Sequence, residues 1–120
     1  MSSLISSCST LDVYKTELVD QIIQVPENIF LENEKVKIIR TNKIDFDILL
    51  IKKPEQKYSA LLMKCSHLDN ALVANTSGLT CNLHGSKFNF NGDVLAGPAI
   101  NPLTQFKTNT HNQIIQIIIT

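Results

Sequence analysis

Residues 65–103 read CSHLDNALVANTSGLTCNLHGSKFNFNGDVLAGPAINPL, and the rest of the chain is best understood outward from this stretch. It holds two ligand pairs, Cys65-Ser66-His67 and Cys81-Asn82-Leu83-His84, with residues 68–80 between them. Thiolate and imidazole are different ligands: one brings negative charge and soft sulfur, the other binds as a neutral nitrogen base. One of each at two points in the chain suggests two metal ions with unequal surroundings. The short gap inside each pair keeps it on one tight loop, from which its thiolate and imidazole reach adjacent metals.

Two plainer readings compete. Four Cys and His ligands could hold a single tetrahedral zinc, which accepts both atom types and needs no redox chemistry. Against it, zinc ribbons and fingers pair Cys with Cys or His with His at short gaps, whereas here each pair is mixed. Taken one at a time, each residue could also be a buried structural cysteine or a satisfied core histidine. Four of them at matched spacing argue against that.

The stretch resembles the Rieske family in its ligands, in His84-Gly85-Ser86 and in Gly97-Pro98-Ala99 followed by Pro102-Leu103. The resemblance implies a 2Fe-2S cluster in which Cys65 and Cys81 bind the inner iron and His67 and His84 the outer one. Two neutral histidines in place of thiolates leave the cluster less negative, with potentials of roughly −150 to +300 mV against about −400 mV for all-cysteine plant-type clusters. It implies that Gly97-Pro98-Ala99 is a lid over a third side, with φ fixed at Pro98. Ser86 matches a position whose hydroxyl donates to a bridging sulfide, while the accompanying tyrosine is replaced by Phe88. The expected potential therefore lies below that of quinol-oxidising complexes. Cytochrome bc relatives also bridge their two loops with a disulfide; Asn70 and Leu83 stand at those positions, so hydrogen bonds and packing must hold the loops. Leu68, after the first histidine, is expected either to pack in its loop or to offer an apolar docking contact.

Outside this stretch the chain reads as all-β. At 120 residues it suffices for one ordinary domain. Strands are expected at Ile22–Val25, Val36–Arg40, Phe46–Lys52 and Ser59–Lys64, with a turn at 54–57. Two small hairpins follow, one around 75–78 and one around Asn91-Gly92, a dipeptide suited to positive φ. A pair near Phe106-Lys107 and Ile114–Ile118 is expected to close the sheet. With the family resemblance, this gives a Rieske-type antiparallel β-sandwich carrying a small cluster-binding subdomain built from two loops. The apolar run 114–119 reads as a buried strand rather than an aggregation-prone edge. His111 reads as a solvated loop residue.

Eleven basic and eleven acidic residues give no footprint for phosphate, so nucleic acid is not an expected partner. No apolar run approaches the ~20 residues of a membrane-spanning helix. Residues 1–18 read as a tail, weakly helical or irregular around Leu11–Val19, and residues 19–120 as the domain. Ile5-Ser6-Ser7-Cys8 resembles the end of a bacterial lipoprotein signal, although the seven residues before Cys8 include no basic start and no full apolar core. A lipidated Cys8 would tether the protein at the periplasmic or outer surface; if the start is as written, a cytoplasmic location is expected.

These readings converge on a monomeric single-electron carrier or electron-transfer subunit with a redox protein donor and acceptor, and without catalysis of its own. The ferredoxin component of a multicomponent Rieske oxygenase is the alternative, and a non-redox zinc module the second. An oxygenase α subunit is not expected, because its catalytic domain would need a few hundred further residues.

Overall fold

The computed structural model describes residues 12–120. The expectation for Cys8 falls outside them. Eight strands form one curled sheet: β1 (Val13–Lys15), β2 (Leu18–Val19), β3 (Ile22–Pro26), β4 (Val36–Arg40), β5 (Ile48–Lys53), β6 (Lys57–Leu62), β11 (Gln105–His111) and β12 (Ile114–Ile118). Their spatial order is β1-β4-β5-β6-β11-β12-β3-β2. Every pairing is antiparallel except that of β1 with β4. The two edge strands are consecutive in the chain. Residues between them span the gap, with the Thr16 N–H donating to Arg40 O at 3.0 Å and the Thr16 hydroxyl to Gln24 O at 3.5 Å. β11 makes the corner of the sheet: its start pairs with β6, at Gln105 and Phe106, and its remainder with β12.

A second sheet of four short strands stands beside the loops of Cys65-Ser66-His67 and Cys81-Asn82-Leu83-His84: β7 (Val73–Ala74), β8 (Leu79–Thr80), β9 (Lys87–Phe88) and β10 (Val94–Ala96), in the order β10-β9-β8-β7. Successive side chains on a strand point to opposite faces, and β5–β6 uses both faces. Ile48, Leu50, Tyr58 and Ala60 join Ile23, Val25, Ile39, Ile115 and Ile117 in one core. Leu49, Ile51 and Leu61 join Leu72, Leu79, Phe88, Ala99 and Leu103 in a second core. The β5–β6 hairpin is therefore a wall between two cores. That is why Ile48-Leu49-Leu50-Ile51 is apolar without alternation.

The structure revises several expected details. Residues 13–15 and 18–19, assigned to a weakly helical or irregular tail, are strands of the large sheet. The β5 and β6 segments begin at Ile48 and Lys57 rather than Phe46 and Ser59. The last pair does not close the sheet, because β12 lies inside it between β11 and β3, which buries Ile115 and Ile117. His111 ends β11, opposite Ile114, with its side chain exposed. Near Asn91-Gly92 only Gly92 takes positive φ. The turn is wider than two residues, since Asn89 Oδ1 accepts from the N–H groups of Asn91 and Asp93 at 2.9 and 3.0 Å.

Candidate metal centre

Cys65 lies just beyond β6, and Cys81 directly after β8. Both are free and buried in the second core, 2% and 1% exposed. His67 and His84 lie further along the same loops and are exposed. Their ring centroids are 5.7 Å apart, with the ring planes at 77°. The structure thus brings all four sequence-identified residues to one end of the small sheet, sulfur inward and imidazole outward. Among the described residues, no three His, Cys, Asp or Glu side chains gather as ligands of a single ion.

Three hydrogen bonds between side chain and loop hold this end together. Ser86 is fully buried, and its Oγ accepts from the Ala99 N–H at 3.0 Å, fastening 97–99 to the second ligand loop. An oxygen that accepts this bond still has its own hydrogen to donate. Ser66 Oγ donates to Asn101 O at 2.5 Å, fastening the Cys65–His67 loop to the segment that follows 97–99. Asn70 Nδ2 donates to Cys81 Sγ at 3.3 Å, joining the first ligand loop to the second. Backbone bonds shape each loop: the Cys65 N–H donates to Asn70 O at 2.9 Å, and the Cys81 N–H to Ser86 O at 2.8 Å. Ser66 and the Asn70 amide were absent from the sequence-based set of site residues. On sequence alone, Asn70 is only a position where cytochrome bc relatives carry a disulfide cysteine.

The environment of Cys81 prepares it for the anionic form that metals require. Burial pushes its thiol up. The backbone N–H groups of His84 and Leu83, the Asn70 amide and the Cys65 thiol together outweigh burial and hold it below the ordinary thiol value. A two-iron cluster of the Rieske type takes two cysteine thiolates on one iron and two neutral histidines on the other, where an all-cysteine cluster takes four thiolates. The donor set here is divided in that way.

A model of the Rieske [2Fe-2S] domain matches residues 16–107. The chain belongs to the Rieske [2Fe-2S] domain family, and a Rieske-type 2Fe-2S cluster is its cofactor. The fold is similar to that of the cyanobacterial plasma membrane Rieske protein PetC3 from Synechocystis PCC 6803, with TM-score 0.64 and 23% identity over 78% of this chain and 96% of that one. It is also similar to the ferredoxin of carbazole 1,9a-dioxygenase from Nocardioides aromaticivorans IC177, with TM-score 0.56 and 15% identity over 80% of this chain and 94% of that one. The quaternary ammonium Rieske monooxygenase CntA shares the fold at TM-score 0.63 and 15% identity over 83% of this chain, which spans 32% of the monooxygenase chain. No curated protein sequence matches.

Proposed function

We propose that this protein passes single electrons between redox protein partners, as a small carrier or electron-transfer subunit without a catalytic site of its own. Cys65 and Cys81 would hold one iron, His67 and His84 would hold the other, and the Ser86 hydroxyl would be free to donate toward the cluster. The cluster, when bound, supplies a reversible one-electron acceptor. The carrying observation is the division of the donors, with two buried thiols beneath two exposed imidazoles 5.7 Å apart. That division supports a reading in which a partner reaches the two exposed imidazoles. Exposed apolar side chains stand close in sequence to that edge: Leu68, Leu83 and Ile100 are 38%, 57% and 85% exposed, one in each of the three loops. They suit a protein partner that docks over the histidines.

Iron and acid-labile sulfide analysis, with EPR of the reduced protein, tests the assignment. Equal iron and sulfide with a Rieske-type signal supports it; zinc without sulfide rejects it. A second reading, the ferredoxin component of an oxygenase system, draws support from the fold likeness to the carbazole dioxygenase ferredoxin across nearly that protein's whole length. Turnover of an oxygenase supplied with this protein as sole electron donor separates it from a respiratory role. A tether through Cys8 is a further expectation, tested by intact-mass measurement of protein from the membrane fraction.

A further inference from the structure

The second sulfur ligand has a side-chain hydrogen-bond partner on the opposite loop. Asn70 sits between Cys65 and Cys81 in space: its carbonyl oxygen accepts the Cys65 N–H at 2.9 Å, and its side-chain Nδ2 lies 3.3 Å from Cys81 Sγ and 3.2 Å from Ala71 O. Both neighbours of that nitrogen are acceptors, so the amide must turn its NH2 group toward them and its oxygen away. Asn70 is half-buried, and Cys81 is 1% exposed. Little water competes for the bond.

We propose that Asn70 is the positioning residue for Cys81, doing with one amide two jobs: it ties the two ligand loops across the gap, and it raises the reduction potential. This rests on the Rieske reading of the site. The first job follows from connectivity. Among the described residues, the two ligand loops share no disulfide, since Cys65 and Cys81 are both free. The second job follows from charge. When the bound cluster accepts one electron from a donor protein, no covalent bond would form or break, and the group that Cys81 Sγ helps to hold would carry one more negative charge, shared with its sulfurs. A hydrogen bond to a more negative acceptor is stronger, so the N–H donor favours the reduced state. Phe88 offers no hydroxyl for this purpose, whereas the Asn70 amide reaches Cys81 Sγ from the opposite loop.

The test uses the holoprotein, first verified for iron, sulfide and EPR signal; failure at that point would reject the Rieske reading and leave Asn70 aside. In N70A the ratio of reduced to oxidised cluster at fixed ambient potential falls about threefold to tenfold, where tenfold is about 59 mV for a one-electron couple. N70D falls further, because a carboxylate replaces a donor beside an anionic sulfur. Leu95→Ala, an exposed change on β10 of the same small sheet, leaves the ratio unmoved. Cluster release to a chelator is faster in N70A. Unchanged potentials in both Asn70 variants with full clusters overturn the proposal. Where N70A holds no cluster, the wild-type protein decides: with asparagine labelled by nitrogen-15 in the side chain only, pulsed EPR of the reduced cluster shows coupling to one amide nitrogen. Its absence overturns the proposal.

Discussion

The two cores of this molecule are built on opposite principles. The core enclosed by the large sheet is made of side chains: Ile23, Val25, Leu50, Ala60, Ile115 and Ile117 are all fully buried, on strands five to six residues long. The core under the ligand loops contains Cys65 and Cys81 among its buried residues and borrows Leu49, Ile51 and Leu61 from the wall. Three of its own four strands are two residues long. Such strands bury too little to be stable by themselves. One region owes its shape to strand pairing and hydrophobic burial, and the other adds to a burial of its own the hydrogen bonds between the loops of Cys65 and Cys81.

Cys81→Ser should break the comparison most visibly. The cluster is lost completely, and amide exchange accelerates across β7 to β10 while β3, β5 and β12 keep their protection. Equal loss of protection everywhere would show that the two cores are one cooperative unit. In the other direction, Leu50→Ala, on the first-core face of the wall, costs about 2–5 kcal/mol in denaturant unfolding. The visible spectrum of the cluster should persist up to the shifted midpoint. Gly78→Ala strikes the small sheet through its backbone. Gly78 has φ +154°, a region that side chains rarely enter, and an added Cβ would collide with the carbonyl oxygen of Phe88. A cost of about 2 kcal/mol follows, read as faster cluster release at an unchanged potential.

A weaker effect separates the cores by pH. Burial, followed by the hydrogen bond to Glu27 at 2.8 Å and the charge of that carboxylate, pushes the Tyr58 hydroxyl up to about 12. Below pH 10 both folded and unfolded chains keep this proton. Between 10 and 12 the unfolded chain releases it first, so stability falls as pH rises, by on the order of 1 kcal/mol. Tyr58→Phe should flatten that slope in unfolding titrations. The smallest expected effect lies at the β11–β12 turn, where Asn112 and Gln113 both have positive φ, 51° and 67°. Gln113→Gly relieves the side-chain penalty and stabilises by about 0.5 kcal/mol, measured as a raised Tm.

What could be read from the sequence follows the same division. The four ligand-type residues were legible because mixed Cys and His pairs at short spacing are rare without a metal, and the structure gathers all four. Strands such as Val36–Arg40 and Ile114–Ile118 were legible from β-branched runs. The edge strands Val13–Lys15 and Leu18–Val19 were not: they are short, have largely exposed side chains, and gain strand structure from partners β4 and β3 rather than from their own pattern. Ser66 and Asn70 were missed as site residues for a related reason. Their hydrogen bonds span 35 and 11 residues of chain, and polar loop residues carry no periodic signal.

The wall formed by Ile48–Lys53 and Lys57–Leu62 has a consequence for how this domain can change over generations. Loops can gain or lose residues because their length is only loosely coupled to what they enclose. A single-residue insertion within β5 would exchange Ile48 and Leu50 with Leu49 and Ile51 beyond the insertion point, altering both cores at once. Drift in length should therefore collect at the hairpin tips and in the 41–47 and 31–35 connections, while the wall stays fixed in length.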